Sequence, residues 1–95
     1  MNKSRCFEGF GAFSRCSALE SVIFEEGSKC ATIDEFAFNA CSALDKIKIP
    51  LSVSVINKNA FAECYNLTIY CEAEKKLIDW NYYWNPDNCT VYWGQ

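Results

Sequence analysis

The 95-residue chain contains no histidine. Without an imidazole there is no Ser-His-Asp triad, no Cys-His dyad and no His-ligated zinc. A basic surplus is also missing: nine Lys and Arg face twelve Asp and Glu, for a formal charge of −3. A protein that neutralises several phosphates carries the opposite balance, so nucleic acid is not an expected partner. Long apolar runs are absent too. A bilayer span needs roughly 20 apolar residues and a signal-peptide core about 7–15. The basic start Met1-Asn2-Lys3-Ser4-Arg5-Cys6 leads into neither. The sequence therefore predicts no membrane insertion, and it reads as a cytosolic protein or as a piece of a longer secreted one. Seven cysteines are present without one Cys-x-x-Cys pair, which argues against a zinc site and against a redox dithiol. No Gly-x-x-x-x-Gly-Lys phosphate loop occurs. Glu25-Glu26 and Asp34-Glu35 read as solvated surface. These absences together predict a non-enzyme with no catalytic residue, no metal and no cofactor.

What is present is a folding composition, 51% apolar and 16% aromatic, in a length that allows one small domain. The chain also repeats itself. Ala12-Phe13-Ser14-Arg15-Cys16-Ser17-Ala18-Leu19 returns as Ala37-Phe38-Asn39-Ala40-Cys41-Ser42-Ala43-Leu44 and again as Ala60-Phe61-Ala62-Glu63-Cys64-Tyr65-Asn66-Leu67. The offsets of 25 and 23 residues lie in the leucine-rich-repeat range. After each Leu an apolar pair alternates at period two, Val22 and Phe24 in one copy and Ile47 and Ile49 before Pro50 in the next. Such alternation predicts one strand per coil. Ile33 and Ile56 precede their Ala-Phe by four residues as apolar anchors. The Phe-to-Cys spacing of three predicts a short helical or 3₁₀ turn facing inward. No coil can bury its own apolar face, so stacked coils with parallel strands follow. The predicted fold is an α/β repeat solenoid with a small parallel sheet. Glu8 stands where Ile33 and Ile56 stand in later copies, so the first coil is degenerate, and Phe7 and Phe10 are expected to plug its end.

The unit from Ile33 to Pro50, Ile-x-x-x-Ala-Phe-x-x-Cys-x-x-Leu-x-x-Ile-x-Ile-Pro, resembles the BspA-like leucine-rich repeat. The stretch Leu67 to Glu74, with Trp80, Trp84, Asn85 and Val91-Tyr92-Trp93-Gly94, looks like the tail that closes many such arrays. The resemblance runs over roughly residues 8 to 95. It implies a right-handed coil stack and a non-enzymatic protein-binding array, commonly on cell surfaces and sometimes linked to adhesion. It leaves the compartment open: cell surface or secreted if the chain belongs to a longer family member. Three coils over residues 1–70 and a capping segment over 71–95 are expected.

Cys16, Cys41 and Cys64 hold one repeat position and are expected to form a core column of small apolar groups. Cys71 and Cys89 share inward parity on candidate neighbouring strands, which makes them the pair to test for a disulfide. Cys6 and Cys30 fall outside the pattern and are expected to be unpaired. The tail rings Trp80, Tyr82, Tyr83, Trp84, Tyr92 and Trp93 are expected to cover the last coil, with glycan binding as their functional alternative. Sequons occur at Asn2, Asn66 and Asn88. Strand alternation turns Ile23, Lys48 and Tyr70 outward, beside a column of Ser21, Lys46 and Thr68, provided the third coil is one residue shorter before Ile69. This mixed apolar and cationic face suits a protein partner. The alternative is self-association of two chains through an uncapped N-terminal coil.

Overall fold

The segment Lys46-Ile47-Lys48-Ile49 alternates exposed and buried along its length, the mark of a strand with one face on a core. It is the third strand in chain order. In a computed structural model that describes residues 11–95, the strands are β1 (Ser21–Val22), β2 (Thr32–Ile33), β3 (Lys46–Ile49), β4 (Val55–Ile56), β5 (Thr68–Cys71) and β6 (Thr90–Tyr92). β1, β3, β5 and β6 form one four-stranded sheet in that order, and every pair is parallel. β2 and β4 form a second parallel pair. The expected anchors Ile33 and Ile56 are thus strand residues, and Trp80 extends their row by a parallel bridge to Ile56. Each of the two complete coils between them carries two strands rather than the one expected. The signal was the β-branched pair at each anchor, Thr32-Ile33 and Val55-Ile56.

Between the strands the chain turns instead of forming helix. No described residue is helical, so the expected helical and 3₁₀ turns are hydrogen-bonded turns. Cys16, Cys41 and Leu67 donate backbone N–H to Phe13, Phe38 and Cys64, respectively, at 3.2–3.3 Å. Two left-handed residues bracket the compact segment of each coil. Gly11, Phe36 and Asn59 (φ 58° to 65°) precede its Ala, and Arg15, Ala40, Glu63 and Asn88 (φ 55° to 63°) precede its Cys. Of these only glycine, and to a lesser extent asparagine, takes that conformation readily. The left-handed kinks aim alternate N–H groups at the next coil: Phe13 donates to Ala37, Arg15 to Asn39, Phe38 to Ala60 and Ala40 to Ala62 at 2.6–2.8 Å. A buried backbone group without a partner is costly, so this ladder is obligatory.

Side chains stack in the same register. Phe13, Phe38 and Phe61 form a column with ring centroids 5.5 Å apart and planes within 6°. Cys41, Cys64, Leu44, Ile33, Ile47, Ile49, Ile56 and Ile69 are fully or nearly fully buried beside it. Cys30 does belong to a column: it is buried one coil below Val53 and is disulfide-bonded, against the expectation that it is unpaired. Cys6, Phe7, Glu8 and Phe10, and with them the expected plug and the expected open N-terminal edge, lie outside the described residues. The tail is more than a lid. β6 continues the register of β5, Asn88 repeats the left-handed kink, and Asn81 N–H donates to Ile56 at 2.7 Å. It is a fourth, irregular coil, closed by Trp80, Trp84 and Trp93, whose rings lie 5.0–6.2 Å apart.

Truncating the middle ring of the column, Phe38→Ala, is expected to cost about 3–5 kcal/mol. Ala40→Gly removes a left-handed penalty and is expected to gain roughly 0.5–1 kcal/mol after the entropy of glycine is counted. Urea unfolding of the two variants reads both signs.

Candidate functional site

The outward face of the four-stranded sheet is built by register. Ser21, Lys46, Thr68 and Thr90 stand side by side, and Lys48, Tyr70 and Tyr92 form the next outward row. The pairing of Lys46 with Thr68 makes the third coil shorter, at 22 residues, as the expected alignment required. Ile23 lies one residue past the end of β1, yet it belongs to this row. It is 88% exposed and lines a cavity of about 170 Å³ with Lys46, Lys48 and Tyr70. Thr90 and Tyr92 were missed as face residues. Their signal was available, because inward Cys89, Val91 and Trp93 leave Thr90 and Tyr92 to point out. Tyr92 stacks on Tyr70 with centroids 5.5 Å apart, so the row ends in a two-ring platform. Lys46 and Lys48 are exposed, and the face carries cationic charge between Ile23 and the tyrosines.

The cysteine column is a ladder of weak S–H donors. Cys41 Sγ donates to Phe13 O at 3.0 Å, Cys64 Sγ to Phe38 O at 2.9 Å and Cys89 Sγ to Cys64 O at 3.1 Å. Cys89 is thus the column's fourth member, and Cys16 packs against the core as its first. Cys71 and Cys89 both carry free thiols, which corrects the candidate disulfide. Parity matches, but register does not. β6 pairs Ile69 with Val91, so Cys89 sits level with Leu67 and Cys71 level with Trp93. Four strand residues separate those levels, about 13 Å, whereas a disulfide needs Cα atoms within about 7 Å. Burial pushes the thiols of Cys64 and Cys71 up to about 12 and raises those of Cys41 and Cys89. A thiol held neutral is a poor nucleophile and a poor metal ligand. Among the described residues, no cluster of three or more His, Cys, Asp or Glu could hold a metal ion.

The three tail tryptophans are spent on packing. Trp80 Nε1 donates to Val53 O at 3.2 Å, and Trp84 meets Phe61 edge-on at 6.1 Å. Tyr82 and Tyr83 stay exposed. No helix among the described residues is long and apolar enough to cross a membrane.

Stacked parallel coils with an aliphatic, aromatic and cysteine column define a leucine-rich-repeat type of solenoid. A family model described as the BspA type leucine rich repeat region (6 copies) matches residues 7–89, and the chain belongs to that family. No curated protein and no solved structure matches it.

In denaturant without reductant, Cys71 and Cys89 are expected to alkylate fully and Cys30 only after reduction; peptide mass mapping distinguishes them. In the native protein near pH 8.5, thiolate at Cys64 and Cys71 falls about a thousandfold below the unfolded value. Their labelling should slow accordingly. A thiol raised on folding contributes stability that is complete below its unfolded value of about 8.5 and is lost as pH rises toward the folded value. Urea midpoints should therefore fall between pH 8.5 and 12, and the fall should shrink in Cys71→Ala.

Proposed function

We propose that the chain is a non-enzymatic protein-interaction module whose sheet face, centred on Ile23, Lys48 and Tyr70, takes the partner. The observation that carries this reading is the row itself. A solvent-exposed isoleucine, a lysine and a stacked tyrosine pair stand on one rigid parallel sheet with a cavity between them. Exposed aromatic and apolar groups are what interface centres are enriched in, and the lysine adds a charge beside them that a partner of opposite sign can meet. Ser21, Lys46 and Thr68 extend it as a polar border. The missing histidine and the thiols held neutral by burial support the non-enzymatic side. Family membership supports the interaction role and is consistent with a surface or adhesion-type array built from right-handed coils. A second reading, glycan binding by the tail, rests on Tyr82 and Tyr83, whose exposed rings lie 4.9 Å apart at 87°.

Selection of a displayed random peptide library on the protein tests the reading. Enriched peptides are expected to lose about tenfold or more in affinity on Ile23→Ser, Lys48→Glu and Tyr70→Ala combined. They should be indifferent to Tyr82→Ser with Tyr83→Ser. Binding that ignores the first set overturns the sheet-face reading, and loss on the second set moves the site to the tail.

A further inference from the structure

The 170 Å³ cavity on the sheet face is one end of a longer groove. A second cavity of about 510 Å³ shares Val22, Ile23 and Lys48 with it and runs on between the loop after β1 and the turn after β3. The groove follows the strand direction. Apolar residues run along it, from Ile47 and Tyr70 past Ile23 to Phe24 and Leu51, with Ser28 and Ser52 beside them at the loop end. Its two ends carry opposite charge. Lys46 lines the sheet end, Lys48 stands where the two cavities meet and lines both, and Glu25, Glu26 and Glu72 line the loop end. Glu72 is held in place there, since its Oε1 accepts the Leu51 N–H at 2.8 Å. Lys46 lies level with Thr68, and Glu72 lies four residues beyond Thr68 along the same direction. The ends are therefore about 13 Å apart, the span of about four steps of extended chain.

Resting on the sheet-face reading above, we propose that the groove binds an extended segment of a partner protein in which an acidic side chain, a large apolar side chain and a basic side chain alternate as acidic-x-apolar-x-basic. In an extended chain, residues i, i+2 and i+4 share one face. The acidic group then meets Lys46 and Lys48, the apolar group sits on Ile23 and Leu51, and the basic group meets Glu72 and Glu26. Charge complementarity selects this occupant: a uniformly acidic or uniformly basic segment meets like charge at one end. A free cofactor-sized anion or cation would satisfy only one end and leave the apolar residues unused.

The test uses synthetic peptides of the form Glu-Ser-Leu-Ser-Lys, flanked by Gly-Ser, titrated into the ¹⁵N-labelled chain. The mixed-charge peptide, or its reverse if the segment runs the other way, should give saturable shifts at Ile23, Lys48 and Glu72. The doubly acidic and doubly basic versions should bind about tenfold more weakly. The double variant Lys46→Glu with Lys48→Glu, both exposed positions, should invert the order and prefer the doubly basic peptide. Equal binding of all peptides, or no binding by either mixed-charge form, overturns the proposal. If library-selected peptides still require Ile23, Lys48 and Tyr70 while charge order is irrelevant, the charge pattern fails and the sheet-face reading stands. If no peptide needs those residues, both fail.

Discussion

Everything in this structure depends on each coil satisfying its neighbour's backbone. The strands are two to four residues long, far too short to persist alone. Their N–H and C=O groups are partnered only because the next coil lies in register, on the sheet side through pairs such as Thr68 to Asp45 and on the turn side through Phe38 to Ala60. The left-handed residues before each Ala and each Cys make that second ladder possible. They include Phe36, Ala40 and Glu63, residues that gain nothing locally from such a conformation. The local cost is tolerated because it recurs at the same place in every coil and is offset by an inter-coil hydrogen bond and a stacked ring.

The same constraint explains what was legible in the sequence. Positions that repeat by side-chain type could be read directly: the Phe column, the Leu column, the Cys column and the inward Ile of β3. Their registers followed from the offsets once one residue was taken to be lost before Ile69, and the pairing of Lys46 with Thr68 gives that shorter coil. Positions that repeat by backbone geometry alone could not be read. Arg15, Ala40, Glu63 and Asn88 share a conformation and no chemistry, so no residue pattern marks them. The fourth coil was hidden for a related reason. Trp80 takes the place of isoleucine and Trp84 meets Phe61 edge-on instead of stacking, so the tail keeps the path and abandons the motif. Cys71 and Cys89 show the limit of parity: alternation says which face a residue takes and says nothing about its level along the strand.

For the face, the consequence is rigidity. Ile23, Lys48, Tyr70 and Tyr92 each project from a different coil or its edge, so their spacing is set by the stack and not by loop conformation. Buried side chains are apolar throughout the described region, with no buried polar side-chain atom left unpartnered. The surface therefore carries all the charge, and charge placement along the groove between Lys46 and Glu72 is free to encode a partner. The four-coil stack is short, and the tail's three tryptophans close one end of it where a further coil would otherwise be needed.

The residues after Cys71 form a fourth coil continuous with the others. Native-state hydrogen exchange tests it most directly. The amides of Asn81, Gly94 and Gln95, which donate to Ile56, Ala73 and Cys71, should open with free energies close to those of Phe38 and Ala40 in the central ladder. Exchange of the tail amides at unprotected rates, while Phe38 and Ala40 stay closed, would contradict it.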